Sequence, residues 1–261
     1  MKKKHLLHAL LLAIFLVGLI MIPFNPLLKK IILPEYVYVI NVVIRFAIIL
    51  CATYVIAKKY GLLELGGFII PKRRNYWMLI LPLIIPGVLP LSGLKAEYFK
   101  DAQAVILMLI ALPMRALIEE LIFRGVVQGY LLKHNINKSY FIIAIFTSIP
   151  FALAHLLNLR TTDLPSVLQQ VVYAFFMGML LSALLFKTNN VWLLGIVHGM
   201  LNFLFDVQSA GSHSTGEVVE NVSFFELLSN MAVQALIFSP VLLISWLLMR
   251  KQKIPVAQID S

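Results

Sequence analysis

Long apolar runs separated by short polar breaks make up nearly the whole chain, and the runs are of membrane-crossing length. Eight of them predict helices: His5–Leu28, Tyr36–Ala57, Tyr76–Ser92, Gln103–Leu132, Ser139–Leu157, Pro165–Phe186, Val191–Val207 and Phe224–Met249. A helix rises about 1.5 Å per residue, so about 20 apolar residues cross about 30 Å of hydrocarbon. The third run carries Pro82, Pro86 and Pro90, four apart and therefore on one helix face, which predicts a bent or broken span. The fourth would reach about 45 Å if straight, so it must tilt, kink or protrude, with Pro113 the expected kink. Between the second and third runs, Lys58–Arg74 has basic ends around an apolar middle containing Gly66-Gly67. It is expected to be a cytoplasmic loop held against anionic lipid, the alternative being an interfacial helix beside a substrate entrance. Gln208–Asn221 is expected to be a polar loop.

Composition turns this pattern into a class. Of 261 residues, 61% are hydrophobic and only 13% charged, against about 25% charged in a soluble domain. The chain is therefore expected to be all-α, one polytopic membrane domain over residues 1–261, a bundle of about eight transmembrane helices. The net charge of +10 does not point to nucleic acid, because Lys and Arg cluster at the ends of the apolar runs as topology signals. An even number of spans puts both termini on one side. If that side is the cytoplasm, the outer loops hold only Lys29, Lys30, Lys95, Lys100 and Arg160, which favours cytoplasmic termini. The basic start and first apolar run resemble a signal peptide, but the run is long and ends in Pro23 and Pro26 without an A-x-A site, so it is expected to stay uncleaved. Lys-rich composition without long loops suggests a bacterial cytoplasmic membrane. The single cysteine, Cys51, excludes an intramolecular disulfide and a Cys-based metal site, and its mid-span position predicts a buried, inert thiol.

Candidate chemistry lies where the apolar pattern is violated. Within Met114–Arg124 stand four ionisable groups, each costing ~2.5–3.5 kcal/mol at a membrane centre unless paired, solvated or used. Arg115 and Glu119 are four apart, as are Glu120 and Arg124, so each pair can meet on one helix face. Glu119 is rotated about 100° from Glu120, so one carboxylate can be structural while the other faces a different compartment. Arg45, in the second span, is expected to face protein. His155 and His198 are the two histidines deep within spans; His198, Asn202 and Asp206 form a stripe on one helix face. His5, His8, His134 and His213 are assigned no role.

Each feature alone has a plain reading: interhelical hydrogen bonding for His or Asn, a structural ion pair for Glu120–Arg124. Together, Glu119, His155, His198 and Asn202 suit addition of water to a carbonyl. Glu119 with His155 can orient and deprotonate a water, and His198 and Asn202 can donate to the tetrahedral oxyanion. A serine route is weaker, since no G-x-S-x-G occurs. Glu119, His155 and His198 also have the ligand types of a catalytic zinc site, although no H-E-x-x-H exists, so zinc and metal-free activation both stay open.

The motifs E-E-x-x-x-R (Glu119, Glu120, Arg124), F-x-x-x-H (Phe151, His155) and H-x-x-x-N (His198, Asn202) occur in that order, each within an expected span. They resemble the three signatures of the CPBP family, which comprises the CAAX prenyl endopeptidases and the bacteriocin-processing or immunity-type (Abi) membrane proteins. The resemblance covers a core of roughly residues 110–206. It implies an intramembrane endopeptidase acting on a membrane-embedded or membrane-associated peptide or protein, with Glu119 activating water beside His155. It further implies an oxyanion pair, His198 and Asn202, and a supporting pair, Glu120 and Arg124; it leaves the metal open. Two rivals are a non-catalytic immunity factor or scaffold with the same fold, and a proton-coupled transporter, for which inverted repeats would be expected but none is visible. One expectation fits poorly. His155 lies about 24 Å along its span and His198 only about 10–12 Å into the parallel seventh. A lower start for the fifth helix, a bend at Pro150 or shifted boundaries would each reconcile them.

Overall fold

A computed structural model of the chain describes residues 3–71, 75–134, 139–210 and 223–250, and among these there are helices, turns and no strand. Helix α1 (Lys3–Ile20) and the short α2 (Asn25–Ile31) share the first apolar stretch, and α3 (Pro34–Tyr60) follows, closed by Gly61 in the left-handed conformation. The proline-rich third run is broken: a 3₁₀ turn at Tyr76–Ile80, then α4 (Leu81–Ile84) and α5 (Val88–Ser92). Each proline removes a backbone donor and crowds the preceding turn, so no continuous helix forms. After a further 3₁₀ turn at Ala96–Phe99 come α6 (Ala102–Glu120), a wide π-type turn at Leu121–Gln128, and α7 (Gly129–His134). Then follow α8 (Tyr140–Ala154) with a 3₁₀ extension at His155–Arg160, α9 (Leu164–Thr188), α10 (Val191–Ala210) and α11 (Phe224–Met249).

Five helical stretches are long and apolar enough to cross a membrane: Lys3–Ile31, Pro34–Tyr60, Tyr140–Arg160, Leu164–Thr188 and Phe224–Met249, with Val191–Val207 a shorter apolar helix. The protein is a polytopic all-α membrane protein. Its outer helices turn large apolar side chains such as Phe15, Val55 and Leu236 outward, as contact with acyl chains requires.

The centre of the bundle is the wide turn. All eight residues from Leu121 to Gln128 are buried, so its whole circumference is covered by protein. Contrary to the expectation for Pro113, which lies inside α6, the departure from α-geometry begins after Glu120. Polar groups tie this turn to α9: the Arg124 guanidinium donates to the Gly178 carbonyl at 3.3 Å and the Gln128 amide to the Ser182 carbonyl at 3.4 Å. Gly178 and Ser182, one turn apart, are small enough to let the two backbones approach.

Helix α10 crosses α6 by the same device. Gly195 and Gly199, four apart, lie against Leu117 and Pro113, and a Cβ on Gly199 would stand 2.2 Å from the Pro113 Cα. That close crossing carries His198 onto the end of α6.

Two expectations fail here. The middle of Lys58–Arg74 is not a loop lying on lipid: Leu62, Leu65 and Phe68 are buried, and Gly66 sits against the Gly125 backbone of the wide turn. Its Gly67 carbonyl accepts from Val191 N–H at 3.1 Å and its Phe68 carbonyl from the Trp192 indole at 3.0 Å, so it plugs the bundle beneath the start of α10. Cys51 is exposed rather than buried, because α3 is an outer helix and that face points away from protein. Residues 72–74 of the basic cluster, Lys138, His213, the 211–221 part of the expected polar loop, and the C-terminal cluster from Lys251 lie outside the described residues.

Candidate active site

The two adjacent carboxylates have different surroundings. Glu120 is fully buried; its Oε1 accepts from Arg124 at 3.1 Å and from His198 Nδ1–H at 2.9 Å. Arg124, equally buried, lies with its guanidinium carbon 4.1 Å above the Phe151 ring. Glu119, one residue earlier on the turning helix, points elsewhere. Its side chain is 18% exposed, and its carboxylate pairs with Arg115 at 3.7 Å and stands 3.9 Å from His198 Nε2. The division of labour expected from their 100° offset is therefore present: one carboxylate is locked in the core and the other is open to a cavity.

That cavity, about 400 Å³, falls in the size range of ligand pockets. Glu119 and His155 line it together, with Arg115, Tyr38, Phe123 and Phe151 among the other walls. A second, apolar cavity of about 580 Å³ lies between α1 and α8 and adjoins the first, sharing Val17, Met21, Phe123, Ala154 and Leu157.

The two imidazoles are held alike. His155 Nδ1–H donates to the Phe151 carbonyl at 3.0 Å, and His198 Nδ1–H to Glu120. In the neutral ring each then keeps its lone pair on Nε2, the nitrogen left free for chemistry. The two rings flank one phenyl group, at 5.1 Å (His155) and 6.2 Å (His198) between centroids. Both rings reach the one Phe151 ring despite the mismatch in depth expected from the span boundaries. Asn202 lies one turn beyond His198 on α10, half-buried, and does not line the cavity. Asp206, a further turn on, lies within electrostatic reach of Arg115.

The residues as placed do not fit a zinc ion: although each imidazole keeps Nε2 free, among the described residues no three His, Cys, Asp or Glu side chains converge closely enough to hold a metal.

Three participants escaped the sequence reading. Phe151 was noted only as a motif letter, yet its ring touches Arg124, His155 and His198 in turn. Gly178, whose carbonyl receives Arg124, carries no sequence mark. Gly195-x-x-x-Gly199 was a readable sign of a close helix crossing. Three of the histidines assigned no role form an aromatic cluster away from this site: His8 and His134 stack on Tyr130 and His5 on His134, with centroids 4.1–4.9 Å apart.

Residues 101–204, which carry every one of these motif side chains, match the family model described as Type II CAAX prenyl endopeptidase Rce1-like. No curated protein and no solved structure matches the chain.

Proposed function

From the match of residues 101–204 to the CAAX prenyl endopeptidase family model we propose that the chain is a CPBP/CAAX-type protease that hydrolyses a peptide bond of a membrane-associated substrate with Glu119 as the water-activating residue. The observation that carries this reading is the asymmetry of the carboxylates. Glu120 is fully buried with its Oε1 held by both Arg124 and His198, whereas Glu119, paired with Arg115, opens on a cavity that it shares with His155.

The chemistry follows from the free nitrogens and oxygens. A water held between Glu119 and the His155 Nε2 lone pair gives up a proton as its oxygen bonds to the scissile carbonyl carbon. The carbonyl π electrons move to oxygen, and the resulting oxyanion is met from the side of His198, whose Nε2 stands 3.9 Å from Glu119; Asn202, which does not line the cavity, is left out of this step. With Nδ1–H given to Glu120, His198 serves the oxyanion only when its Nε2 also carries a hydrogen. The proton taken from water passes to the leaving nitrogen as the C–N bond breaks. Every atom is supplied by substrate and water, and no covalent enzyme intermediate forms. The catalytic core is residues 110–206, and the adjoining apolar cavity supplies a nonpolar wall next to the polar one. The distribution of Lys and Arg supports both termini facing the cytoplasm.

Comparative peptidomics of membranes holding the parent chain or Glu119→Gln tests the proposal. A base in this position contributes roughly 10²- to 10⁴-fold, so peptides released by the parent disappear with Glu119→Gln. Unchanged release with that variant rejects the reading.

A further inference from the structure

Helix α3 carries a cation that the proposed chemistry does not use. Arg45 is the eleventh residue beyond Pro34 and the fifteenth before Tyr60, so about 17 Å and 23 Å of helix separate it from the two ends. It lines the same cavity as Glu119 and His155. Its partners are all neutral: Nε donates to Asn41 Oδ1 at 2.6 Å and one terminal nitrogen to the Ile22 carbonyl at 3.3 Å. Asn41 in turn donates to Asn25, so the guanidinium is held from behind by a short amide relay. Of its five N–H donors, two are engaged in these bonds.

The other in-span cations differ. Arg124 has Glu120, and Arg115 has Glu119 at 3.7 Å with Asp206 near. Among the described residues no carboxylate pairs with Arg45. Arg160, at the end of the 3₁₀ segment, adds a further positive group to the same wall. The cavity thus holds three guanidinium groups against one carboxylate, Glu119, a positive excess in a place where an unbalanced charge is costly.

A guanidinium fork matches a planar oxyacid, and an orienting relay leaves its remaining donors preset for one. An occupant of the cavity that Arg45 lines with Glu119 and His155 reaches the guanidinium directly. We propose that Arg45 is a specificity-determining residue that binds a carboxylate of the substrate, drawn either from an acidic side chain or from a free C-terminus beside the scissile bond. Asn41 and Asn25 are positioning residues for it. The proposal rests on the cavity being the proteolytic site described above.

The test uses the full chain in phosphatidylcholine nanodiscs and N-acylated hexapeptide pools. One pool has a free C-terminal acid and neutral side chains, one is its C-terminal amide, and one is an amide with Asp in place of Asn. Binding is measured on Glu119→Gln, which holds peptide without cutting it, and on Glu119→Gln with Arg45→Gln or Arg45→Lys. The expected result is that one acidic pool binds Glu119→Gln roughly 10- to 100-fold more tightly than the neutral amide pool, as a charge-assisted pair would give. Which acidic pool gains identifies the source of the carboxylate. Arg45→Gln removes the preference, and Arg45→Lys, a point charge without a fork, keeps part of it. If Arg45→Gln fails to melt cooperatively, Arg45→Lys decides alone, since a merely structural Arg45 would leave the acid-to-amide ratio unmoved.

Equal binding of acidic and neutral pools, or a preference that survives loss of Arg45, overturns the proposal. So does Arg45-dependent displacement of the acidic pool by added phosphatidylglycerol at nanodisc concentration, which would assign Arg45 to lipid. Cleavage of the pools by Glu119→Gln at the parent rate would reject the proteolytic mechanism instead, a separate readout from the binding ratio.

Discussion

Replacing Gly199 by alanine tests the contact on which the site geometry depends. The added Cβ would lie 2.2 Å from the Pro113 Cα, 2.7 Å from its nitrogen and 3.0 Å from the Leu112 carbonyl carbon. All three are backbone atoms, which cannot swing aside as a side chain can. Carbon–carbon contact is relaxed at about 3.5–4.0 Å, so α10 must retreat from α6 by about 1.3–1.8 Å. The 2.9 Å bond from His198, the preceding residue, to Glu120 would then stretch past 4 Å, beyond hydrogen-bond range. Overpacking costs about 1–3 kcal/mol and the lost charge-assisted bond about 1.5–3 kcal/mol, giving a destabilisation of about 2.5–6 kcal/mol. A displacement of about 1 Å also costs on the order of 100-fold in rate. SDS titration of purified protein measures the first effect and peptide cleavage the second. Gly18→Ala is the control: nothing lies within 4 Å of its Cβ, and replacing a helical glycine there gains about 0.5–1 kcal/mol. A Gly199→Ala protein that unfolds at the parent's midpoint and cleaves at the parent's rate would refute the close crossing.

Arg124→Met should cost about 3–5 kcal/mol by the same titration, because it strands the buried Glu120 charge; Glu120→Gln with Arg124→Met should recover a large part, and purely additive losses would contradict a coupled pair. Asp163 caps α9, accepting from Ser166 N–H at 2.9 Å. The Ser166 backbone N–H, then its hydroxyl, hold this carboxyl below the usual carboxylate range. Its stabilising effect is therefore present above that range and is lost as pH falls through the lowered value. Asp163→Ala should melt below the parent at neutral pH and together with it in strong acid, while an offset that persists in acid would contradict a charge-dependent cap.

How much of this was legible in the sequence depends on the distance over which each feature is determined. The pairs Arg115–Glu119 and Glu120–Arg124 follow from helix period alone, and both are present at 3.7 and 3.1 Å. The break at Pro82, Pro86 and Pro90 was equally local. The Glu120–His198 bond joins residues 78 apart, and which of two adjacent carboxylates His198 meets depends on how α10 crosses α6. That crossing was written in Gly195-x-x-x-Gly199 but was not read. Hydropathy could not separate lipid from protein interior, since both reward apolar side chains. For that reason the pattern reads Lys58–Arg74 as a loop on lipid and Cys51 as a buried thiol, where the structure buries Leu62, Leu65 and Phe68 and exposes Cys51. The π-type turn at Leu121–Gln128 has no counterpart in the sequence pattern, because a wide turn is stabilised by neighbours such as Phe68, Gly178 and Ser182 rather than by its own residues.

The central claim is that Glu119 and His155 act on one water in one cavity. It is tested most directly by kcat/KM for Glu119→Gln, His155→Gln and the double variant on a substrate found by peptidomics. Groups that act as a unit are strongly non-additive, so each single variant should lose roughly 10²- to 10⁴-fold and the double variant little more than the worse single. Losses that multiply, or a Glu119→Gln protein as fast as the parent, would contradict it.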